Sequence, residues 1–237
     1  MKEKLVIVGV GTHSEDVVYF VQKHDLFNIV CFTVDRKYIV SNEYMGKPVY
    51  PFEELEKYVN PADVKVFVAI SWFNYMNKYK RQKFEQLKAR GFHFANLISP
   101  LASVNCTSIG EGNWIQDFST IGFDSKIGDN NTICAQSLIG HHTIIGNHNV
   151  FAGRASIAGR SVIGDQNFLG FCSVVFNELT IGNKNLIGGG ALVRNSLPNF
   201  TITTAPESHT KQATEKNLEF IISPKGVKFL KTFLTND

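Results

Sequence analysis

The sequence has 237 residues, a formal net charge of +3 and 43% hydrophobic residues, which is enough for one large or two small packed domains. The charge is too small, and the Lys and Arg residues too dispersed, to predict a nucleic-acid-binding surface. The sequence contains no run of about 18 apolar residues, which a membrane span would need, and the N-terminus lacks the cleavage site of a signal peptide. We therefore expect a cytoplasmic protein with neither a nucleic acid nor a membrane as partner.

The four cysteines lie far apart and form no CxxC pair, so the sequence predicts neither a disulfide framework nor a zinc site. We expect reduced thiols that are mostly buried, because a free cysteine behaves as a small hydrophobic residue. No other metal is expected. The cysteines are Cys31, Cys106, Cys134 and Cys172.

The first predicted element is a short apolar strand over residues 5–8, which leads into a glycine-containing turn and then a helix. This order of elements can hold a phosphate group at the N-terminus of the helix. The glycine motif is only a partial GxGxxG, since Ser14 stands where the third glycine would fall. A tight turn without a ligand is the alternative.

Strands predicted at 29–35 and 64–70 alternate with helices predicted at 51–58 and 74–91. This alternation predicts a small Rossmann-like α/β domain of about ninety residues with a parallel sheet. Ligands of such sheets bind at the carboxyl ends of the strands.

The carboxyl ends of the first two strands carry four candidate ligand-binding residues. Gly9, Gly11 and Thr12 follow the first strand, and Asp35 follows the second. A helix or turn cap is the alternative role for Asp35.

The second half of the chain has a strict period of six. Aliphatic or aromatic residues occupy fifteen positions in succession without a slip, and many of them precede a glycine. The positions are Ile109, Ile115, Ile121, Ile127, Ile133, Ile139, Ile145, Phe151, Ile157, Ile163, Leu169, Val175, Ile181, Ile187 and Val193.

A helix cannot use this period, because residues six apart point about 240° apart on a helical wheel. A coil of short strands can, with the aliphatic residue inward and Gly, Asn or Asp at corners that require positive φ. Stacked coils then bury a continuous apolar column. A β-sandwich is the alternative, but its loops vary in length.

Residues 109–193 resemble the left-handed β-helix of the hexapeptide-repeat acyltransferases. The resemblance implies three hexapeptides per coil and about five coils. It also implies a homotrimer with active sites between neighbouring subunits. Outer apolar residues that a monomer would leave in water favour the same assembly: Trp114, Phe118, Phe123 and Phe168.

The order VIVGVGTHSED, FTVD and FANLISPLASV, followed by hexapeptides, is similar to the sialic acid O-acetyltransferase and bacillosamine N-acetyltransferase (NeuD/PglD-like) family. The similarity spans residues 3–198. It predicts a nucleotide-sugar-binding domain over 1–98, a β-helix over 99–200 and a C-terminal extension over 201–237. In this family the first domain holds a nucleotide sugar, which assigns Gly9, Gly11, Thr12 and Asp35 to that substrate.

The chain departs from the family at both ends of the predicted β-helix. Ser99 stands where the family often has a histidine before proline, and TITTAPESHT at 201–210 replaces the usual Gly-Val-Pro-Ala end. The second departure puts the adenine and pantetheine contacts of this end in doubt.

Acyl transfer from a thioester needs a base for the attacking group and donors for the oxyanion. In LIGHHTIIG the resemblance assigns His141 as the base. The family commonly has an acidic residue next, whereas this chain has His142, so an orienting role for His142 and a swap of roles are both open. A surface turn is the alternative for the pair. His148 is expected to be exposed at a corner without a role.

The resemblance places backbone donors for acetyl-CoA at Gly159 and in the glycine run 188–190, with Gly188 and Gly189 as cofactor-binding residues. Corner geometry is the alternative for these glycines. Arg160 is the candidate for the coenzyme A phosphates, together with three further cations that are alternatively solvated: Arg154, Lys184 and Arg194.

The expected activity is acetyl-CoA-dependent N-acetylation of a nucleotide-linked amino sugar, such as a UDP- or dTDP-4-amino-4,6-dideoxy sugar, for lipopolysaccharide or another surface glycan. O-acetylation of a sialic-acid-like sugar is one alternative, and nothing in the sequence separates it from N-acetylation. A non-catalytic trimeric scaffold that binds a sugar nucleotide is the other.

Overall fold

The computed structural model describes residues 2–70 and 77–207. It begins with an α/β domain whose main elements are β1 (Lys4–Val8), α1 (Thr12–Lys23), β2 (Asn28–Val34), β3 (Glu43–Tyr44), β4 (Lys47–Pro51), β5 (Lys65–Val68), α2 (Lys78–Ala89) and β6 (His93–Phe94). Three short 3₁₀ helices cover Arg36–Tyr38, Phe52–Lys57 and Pro61–Asp63. The sheet has the order β3-β4-β2-β1-β5-β6 and is parallel except for the β3–β4 pair.

Alternate residues of β1 explain why this sheet is covered on both faces. Leu5 and Ile7 pack into the apolar cluster that includes Val17 of α1. Val6 packs into the opposite cluster, which includes Phe84 of α2. A strand buried on both faces has a continuous apolar sequence, as this one does.

The sequence did not predict β4, because its prolines at 48 and 51 argue against a strand. The structure places it between β2 and the two-residue β3. The helix expected at 51–58 is a 3₁₀ helix at Phe52–Lys57, and the described part of the second expected helix is α2.

From Leu97 onward the chain forms a parallel β-helix of two-residue strands that recur about every six residues. Each strand from Leu97–Ile98 to Val174–Val175 pairs in parallel with the third strand after it, as Ile121 does with Ile139 and Ile139 with Ile157, so each coil contains three hexapeptides. The strands are β7 (Leu97–Ile98), β8 (Ser103–Val104), β9 (Ser108–Ile109), β10 (Trp114–Ile115), β11 (Thr120–Ile121), β12 (Lys126–Ile127), β13 (Thr132–Ile133), β14 (Leu138–Ile139), β15 (Ile144–Ile145), β16 (Val150–Phe151), β17 (Ser156–Ile157), β18 (Val162–Ile163), β19 (Phe168–Leu169), β20 (Val174–Val175), β21 (Thr180–Ile181), β22 (Leu186–Ile187), β23 (Leu192–Val193) and β24 (Ile202–Thr203).

The inward column predicted from the period of six is the core of the β-helix. Its residues from Ile115 to Val193 are buried, and Ile109, in the first full coil, is partly buried against them. Each fully buried side chain of this kind stabilises the fold by roughly 1.5–3 kcal/mol. This column confirms the predicted hexapeptide coils, which follow the predicted α/β domain.

The corners differ from the prediction in which residue adopts positive φ. The glycine after each inward residue has no positive φ; a non-glycine residue two positions later does. These glycines are needed for coil spacing instead, because a Cβ at Gly164 would lie 2.8 Å from the Gly182 carbonyl oxygen. The corner residues are Phe118, Asp124, Asn130, Gln136, His142, His148, Arg154, Arg160, Gln166, Cys172, Glu178 and Lys184.

The corners form three rows along the β-helix. The histidine edge comprises residues 123–124, 141–142, 159–160 and 177–178, between the sheets that contain β14 and β15. The glycine edge comprises residues 117–118, 135–136, 153–154, 171–172 and 189–190. The third row comprises residues 111–112, 129–130, 147–148, 165–166 and 183–184, and α2 packs against it.

Trp114 corrects one expectation about the outer surface. Its side chain is 3% exposed, since it packs edge-on against Phe20 and Phe67 of the α/β domain at ring-centroid distances of 5.5 and 6.3 Å. The α/β domain and the β-helix, up to Ala205, form one compact unit. The predicted boundaries after residues 98 and 200 stay predictions.

None of the helices in the described residues has the length and apolar composition of a membrane span. The C-terminal sequence FIISPKGVKFLKTFL and most of the expected extension lie outside the described residues.

Candidate active site

The histidine pair lies at the corner between β14 and β15. Ile139 and Ile145, on either side, point into the core, so His141 and His142 project outward as expected. Both side chains are exposed to solvent. This corner therefore presents two imidazoles on the histidine edge.

The two imidazoles contact each other and a carboxylate. The Nδ1 atoms of His141 and His142 are 2.9 Å apart, with the ring planes at 89°. His142 Nε2 lies 3.6 Å from Oδ2 of Asp124, and the ring also packs edge-on against Phe123. Three ionisable groups thus lie in a row on one edge.

Gly159 lies directly beneath the ring of His141. A Cβ at Gly159 would be 2.7 Å from Nε2 and 2.8 Å from Cε1 of that ring. Its φ is not positive, so the corner itself does not require glycine there. Among the described residues no backbone carbonyl accepts a hydrogen bond from the Gly159 N–H. The absent side chain makes room for the imidazole, and a backbone donor is available on the same edge.

The structure separates the other candidate acetyl-CoA residues into two groups. Arg160 follows Gly159 on the histidine edge, and its N–H donates to the His141 carbonyl oxygen at 2.8 Å. Gly188 and Gly189 lie between β22 and β23, at a corner of the glycine edge. One chain therefore does not bring the histidine pair and the glycine run together.

The three remaining cations are also spread over the surface. Arg154 Nε donates to Gln136 Oε1 at 2.6 Å on the glycine edge. The Lys184 ammonium lies over the Phe200 ring, and the Arg194 guanidinium lies over the Phe176 ring.

The α/β domain has a cavity of about 550 Å³ at the carboxyl ends of β1 and β2. Gly9 and Asp35 line it together with Lys83 of α2, whose ammonium pairs with the Asp35 carboxylate. Asp35 makes no side-chain capping bond to the 3₁₀ helix that follows it. The sequence did not single out Lys83, because α2 is rich in lysine and nothing marks which one faces the cavity.

Gly9 has a backbone conformation and a close backbone contact that favour glycine at this cavity. Its φ is +124°, and a Cβ would lie 2.7 Å from the carbonyl oxygen of Ala69. Ser14, in the third glycine position, is buried, and its hydroxyl donates to the same carbonyl at 3.3 Å. Gly11 and Thr12 form the start of α1, with Gly11 at the N-cap.

A second cavity of about 340 Å³, lined by His13, Trp114 and Cys134 among others, lies between α1 and the β-helix. Lys80 is buried nearby, and its ammonium donates to Thr132 Oγ1 at 3.0 Å. Burial lowers the pKa of Lys80 to about 7, and burial followed by the charge of Lys80 lowers the pKa of His13 to about 4. No sequence pattern marks this cluster, because it forms only where the two domains meet.

The expectation that His148 is exposed is wrong, because α2 covers this corner of the third row. The ring packs edge-on against Phe84 at a centroid distance of 5.6 Å, and its Nδ1 lies 2.8 Å from Asn130 Nδ2. Burial lowers its pKa to about 4. Its contacts are therefore between the domains.

Ser99, which stands where the family often has a histidine, ties the first coil to the end of α1. Its hydroxyl donates to Asp117 Oδ1 at 2.6 Å, and the Asp117 carboxylate also contacts Lys23 Nζ at 2.6 Å and His24 Nε2 at 2.7 Å. Burial acts to raise the pKa of Asp117, but these hydrogen bonds lower it overall.

In the portion of the chain that the structure describes, no group of three or more His, Cys, Asp or Glu side chains is placed to hold a metal ion.

The fold and the site define a class of protein with two domains. An α/β domain with a cavity at the ends of its strands is followed by a β-helix of hexapeptide coils with an outward histidine pair. Residues 4–87 match the family model of the PglD N-terminal domain, and residues 106–141 match that of the bacterial transferase hexapeptide with six repeats. Together the two matches span just over half of the chain. The first domain thus matches the PglD N-terminal family and the coils match the bacterial hexapeptide transferases, which confirms the NeuD/PglD-like resemblance seen in the sequence.

Solved structures confirm the fold, including its left-handed β-helix. The acetyltransferase domain of PglB from Neisseria gonorrhoeae FA1090 has a TM-score of 0.75 at 23% identity, over 86% of this chain and 97% of that chain. PerB from Caulobacter crescentus, in complex with CoA and GDP-perosamine, has a TM-score of 0.72 at 24% identity, over 88% and 97%. WeeI from Acinetobacter baumannii AYE has a TM-score of 0.71 at 23% identity, over 86% and 97%. No curated protein matches the chain in sequence.

Proposed function

We propose that this protein is an acetyl-CoA-dependent N-acetyltransferase that acts on a nucleotide-linked amino sugar, such as a UDP- or dTDP-4-amino-4,6-dideoxy sugar. The observation that carries the proposal is the outward His141 ring lying over the bare backbone of Gly159. The pair supplies a base and a backbone donor at one point, the two groups that acyl transfer needs. The likeness to PerB, which binds CoA and GDP-perosamine, supports the same substrate classes.

Acetyl-CoA supplies the acetyl group as a thioester when it is bound. His141 Nε2 accepts the proton that the amine loses as its nitrogen attacks the thioester carbonyl carbon. The N–H of Gly159 donates to the carbonyl oxygen while that oxygen carries negative charge. The protonated His141 then gives its proton to the departing thiolate, which restores the neutral imidazole.

The cavity at the ends of β1 and β2 is the proposed site of the nucleotide sugar. Gly9 lines it, and the Lys83 ammonium beside Asp35 offers a positive group for the expected phosphates. Gly11 and Thr12 do not line this cavity. They form the N-terminus of α1 close to Gly9 in the chain, where backbone N–H groups favour an anion.

A homotrimer would bring the separated parts of the acetyl-CoA site together. The histidine edge holds His141 and Arg160, whereas Gly188 and Gly189 lie on the glycine edge of the same chain. The two edges also expose phenylalanines that a partner copy would cover, since Phe118, Phe123 and Phe171 are 62%, 68% and 65% exposed. We therefore infer that acetyl-CoA binds where the histidine edge of one copy meets the glycine edge of the next.

The further prediction is that the product serves surface-polysaccharide synthesis in the cytoplasm. The role of the product is a prediction from the sequence resemblance, and the cytoplasmic location is a prediction from the sequence pattern.

A steady-state assay of free thiol release from acetyl-CoA tests the proposed activity. The acceptors are a panel of UDP- and dTDP-linked amino sugars, each paired with the same sugar nucleotide bearing a hydroxyl group instead of the amine. We expect release only with an amino sugar. Release only with the hydroxyl partners would favour O-acetylation, and no release with any acceptor would reject the proposal.

The matched variants are His141→Asn and His93→Asn. His93 is an exposed histidine on the α/β domain, so its replacement controls for the loss of an imidazole outside the site. We expect His141→Asn to lose thiol release and His93→Asn to keep it.

A further inference from the structure

The acidic residue that the family commonly places next to the base is absent at position 142, but a carboxylate is present one coil earlier. Asp124 occupies the same corner position in its coil as His142 does in the next. Its contact with His142 is therefore set by the pairing of β11 with β14, which precede the two corners.

Corner side chains one coil apart contact each other in all three rows of the β-helix. Gln136 and Arg154 are joined at 2.6 Å on the glycine edge, and Asn130 and His148 at 2.8 Å on the third row. On the histidine edge the corresponding pair is Asp124 and His142. The repeat itself thus places a carboxylate against the second imidazole.

The separation between His142 Nε2 and Asp124 Oδ2 is 3.6 Å, an ion-pair distance slightly longer than a hydrogen bond. The two side chains are 40% and 42% exposed, so a small rotation of either can close the gap. Hydrogen bonds of catalytic groups are often long without substrate and shorten when it binds.

The geometry also determines which nitrogen of each ring carries hydrogen. A carboxylate beside His142 Nε2 favours hydrogen on Nε2, because only an N–H can donate to it. His142 Nδ1 is then an acceptor, and the 2.9 Å contact requires His141 to donate from its own Nδ1. That leaves His141 Nε2, the atom over Gly159, with a free lone pair.

We propose that Asp124 is a positioning residue that acts through His142 to hold His141 in the tautomer whose Nε2 is the base. The inference rests on the proposed acetyltransferase function. Asp124 does not touch the reacting atoms. It selects the tautomer of His142, and through the Nδ1 contact it stabilises the positive charge that His141 gains when it accepts the proton.

A double-mutant cycle in the full-length protein tests the proposal. Asp124→Asn keeps a residue that tolerates the positive φ of this corner and removes the charge. We expect kcat to fall by about 10- to 100-fold with little change in KM, in line with the loss of groups that orient a histidine ligand. In the His142→Ala background, Asp124→Asn should cause no further loss, because the path to His141 is already broken.

Asp25→Asn is the matched control, since Asp25 is an exposed acid with positive φ just after α1, outside the site. It should keep the wild-type kcat. The proposal is overturned if Asp124→Asn keeps kcat within about twofold of wild type. It is equally overturned if the loss is the same with and without His142, because Asp124 would then act on the site by another route.

A second measurement does not depend on catalysis. The ¹⁵N shifts of the His141 and His142 imidazoles report which nitrogen carries hydrogen, and we expect Nδ1–H on His141 and Nε2–H on His142 in the wild type. Asp124→Asn should shift both populations, and unchanged populations would refute the proposal. If the wild type releases no thiol, the proposed function fails while this readout still decides the role of Asp124.

Discussion

Replacing Gly159 with alanine is expected to displace the catalytic imidazole without disturbing the coil. The added Cβ would lie 2.7 Å from Nε2, 2.8 Å from Cε1 and 3.0 Å from Cδ2 of His141. All three atoms belong to an exposed side chain that can rotate away. Since φ at Gly159 is not positive, alanine is also compatible with the backbone.

The size of the effect follows from the distance the ring must move. A carbon atom contacts its neighbours at about 3.5 Å, so the imidazole has to retreat by roughly 0.8 Å. A displacement near 1 Å of a reacting group costs about 10² in rate. We therefore expect Gly159→Ala to lower kcat by about 10²-fold and to change the melting temperature by less than about 3 °C.

Thiol-release kinetics and thermal unfolding of the purified variant provide the two readouts. Gly164→Ala is the matched control, because its Cβ would meet the backbone carbonyl of Gly182 at 2.8 Å and cannot be relieved by a side-chain rotation. That variant should lower the melting temperature. A Gly159→Ala protein with wild-type kcat would refute the placement of the base over Gly159. A Gly159→Ala protein as unstable as Gly164→Ala would show that this glycine serves coil spacing.

Four further predictions follow from the site and the charges. His141→Ala or His141→Asn should lower kcat by about 10² to 10⁴ with little change in substrate affinity, whereas His142→Ala should cost less; a dead His142 variant beside an active His141 variant would reverse the two roles. Asp35→Ala should weaken nucleotide-sugar binding in calorimetry and leave acetyl-CoA binding intact, and equal loss of both affinities would contradict the assignment. In the folded protein the pKa values of His13 and His148 are about 4, whereas an unfolded histidine has a pKa of 6.5. The unfolded chain therefore binds protons first, and the free energy of unfolding should fall by about 3 kcal/mol for each histidine as the pH drops from above 6.5 to 4. Equal free energies from urea unfolding at pH 7 and pH 4 would contradict this. Light scattering should give the mass of a trimer at micromolar concentration, and a monomer would refute the assembly.

The β-helix could be predicted from the sequence because its signal is local and repeated. A one-residue slip anywhere between Ile109 and Val193 would have placed an aliphatic side chain in solvent, so an unbroken period leaves one arrangement. The prediction that the corner glycines are needed for positive φ was wrong. The sequence cannot distinguish a residue needed for positive φ from one needed for the close approach of two coils. The structure distinguishes the two, because a Cβ at Gly164 would lie 2.8 Å from the Gly182 carbonyl oxygen of the next coil.

Contacts between domains could not be predicted. Trp114 and His148 were expected on the surface from their positions in the repeat, but the α/β domain packs over both. The burial of Lys80 also depends on this packing between domains. The sequence could not indicate it, because nothing distinguishes Lys80 from the other lysines of α2.

The site was predicted in part. The outward placement of His141 follows from the repeat, and its contact with Gly159 follows from their separation along the chain, which is one full coil. Asp124 was missed because an orienting acid was sought beside the base in sequence. In a coil of three hexapeptides, the neighbour of a corner side chain is the residue at the same corner of the adjacent coil.

The central claim is that His141 promotes transfer of an acetyl group to the amine of a nucleotide sugar. The most direct test incubates wild type and His141→Asn with acetyl-CoA and each amino-sugar nucleotide, and follows the sugar nucleotide by mass spectrometry and NMR. The account predicts a product that gains one acetyl group on its amino nitrogen with the wild type, and at least about 10²-fold less of it per unit time with the variant. Equal product from the two proteins, or none from the wild type although both substrates bind, would contradict it.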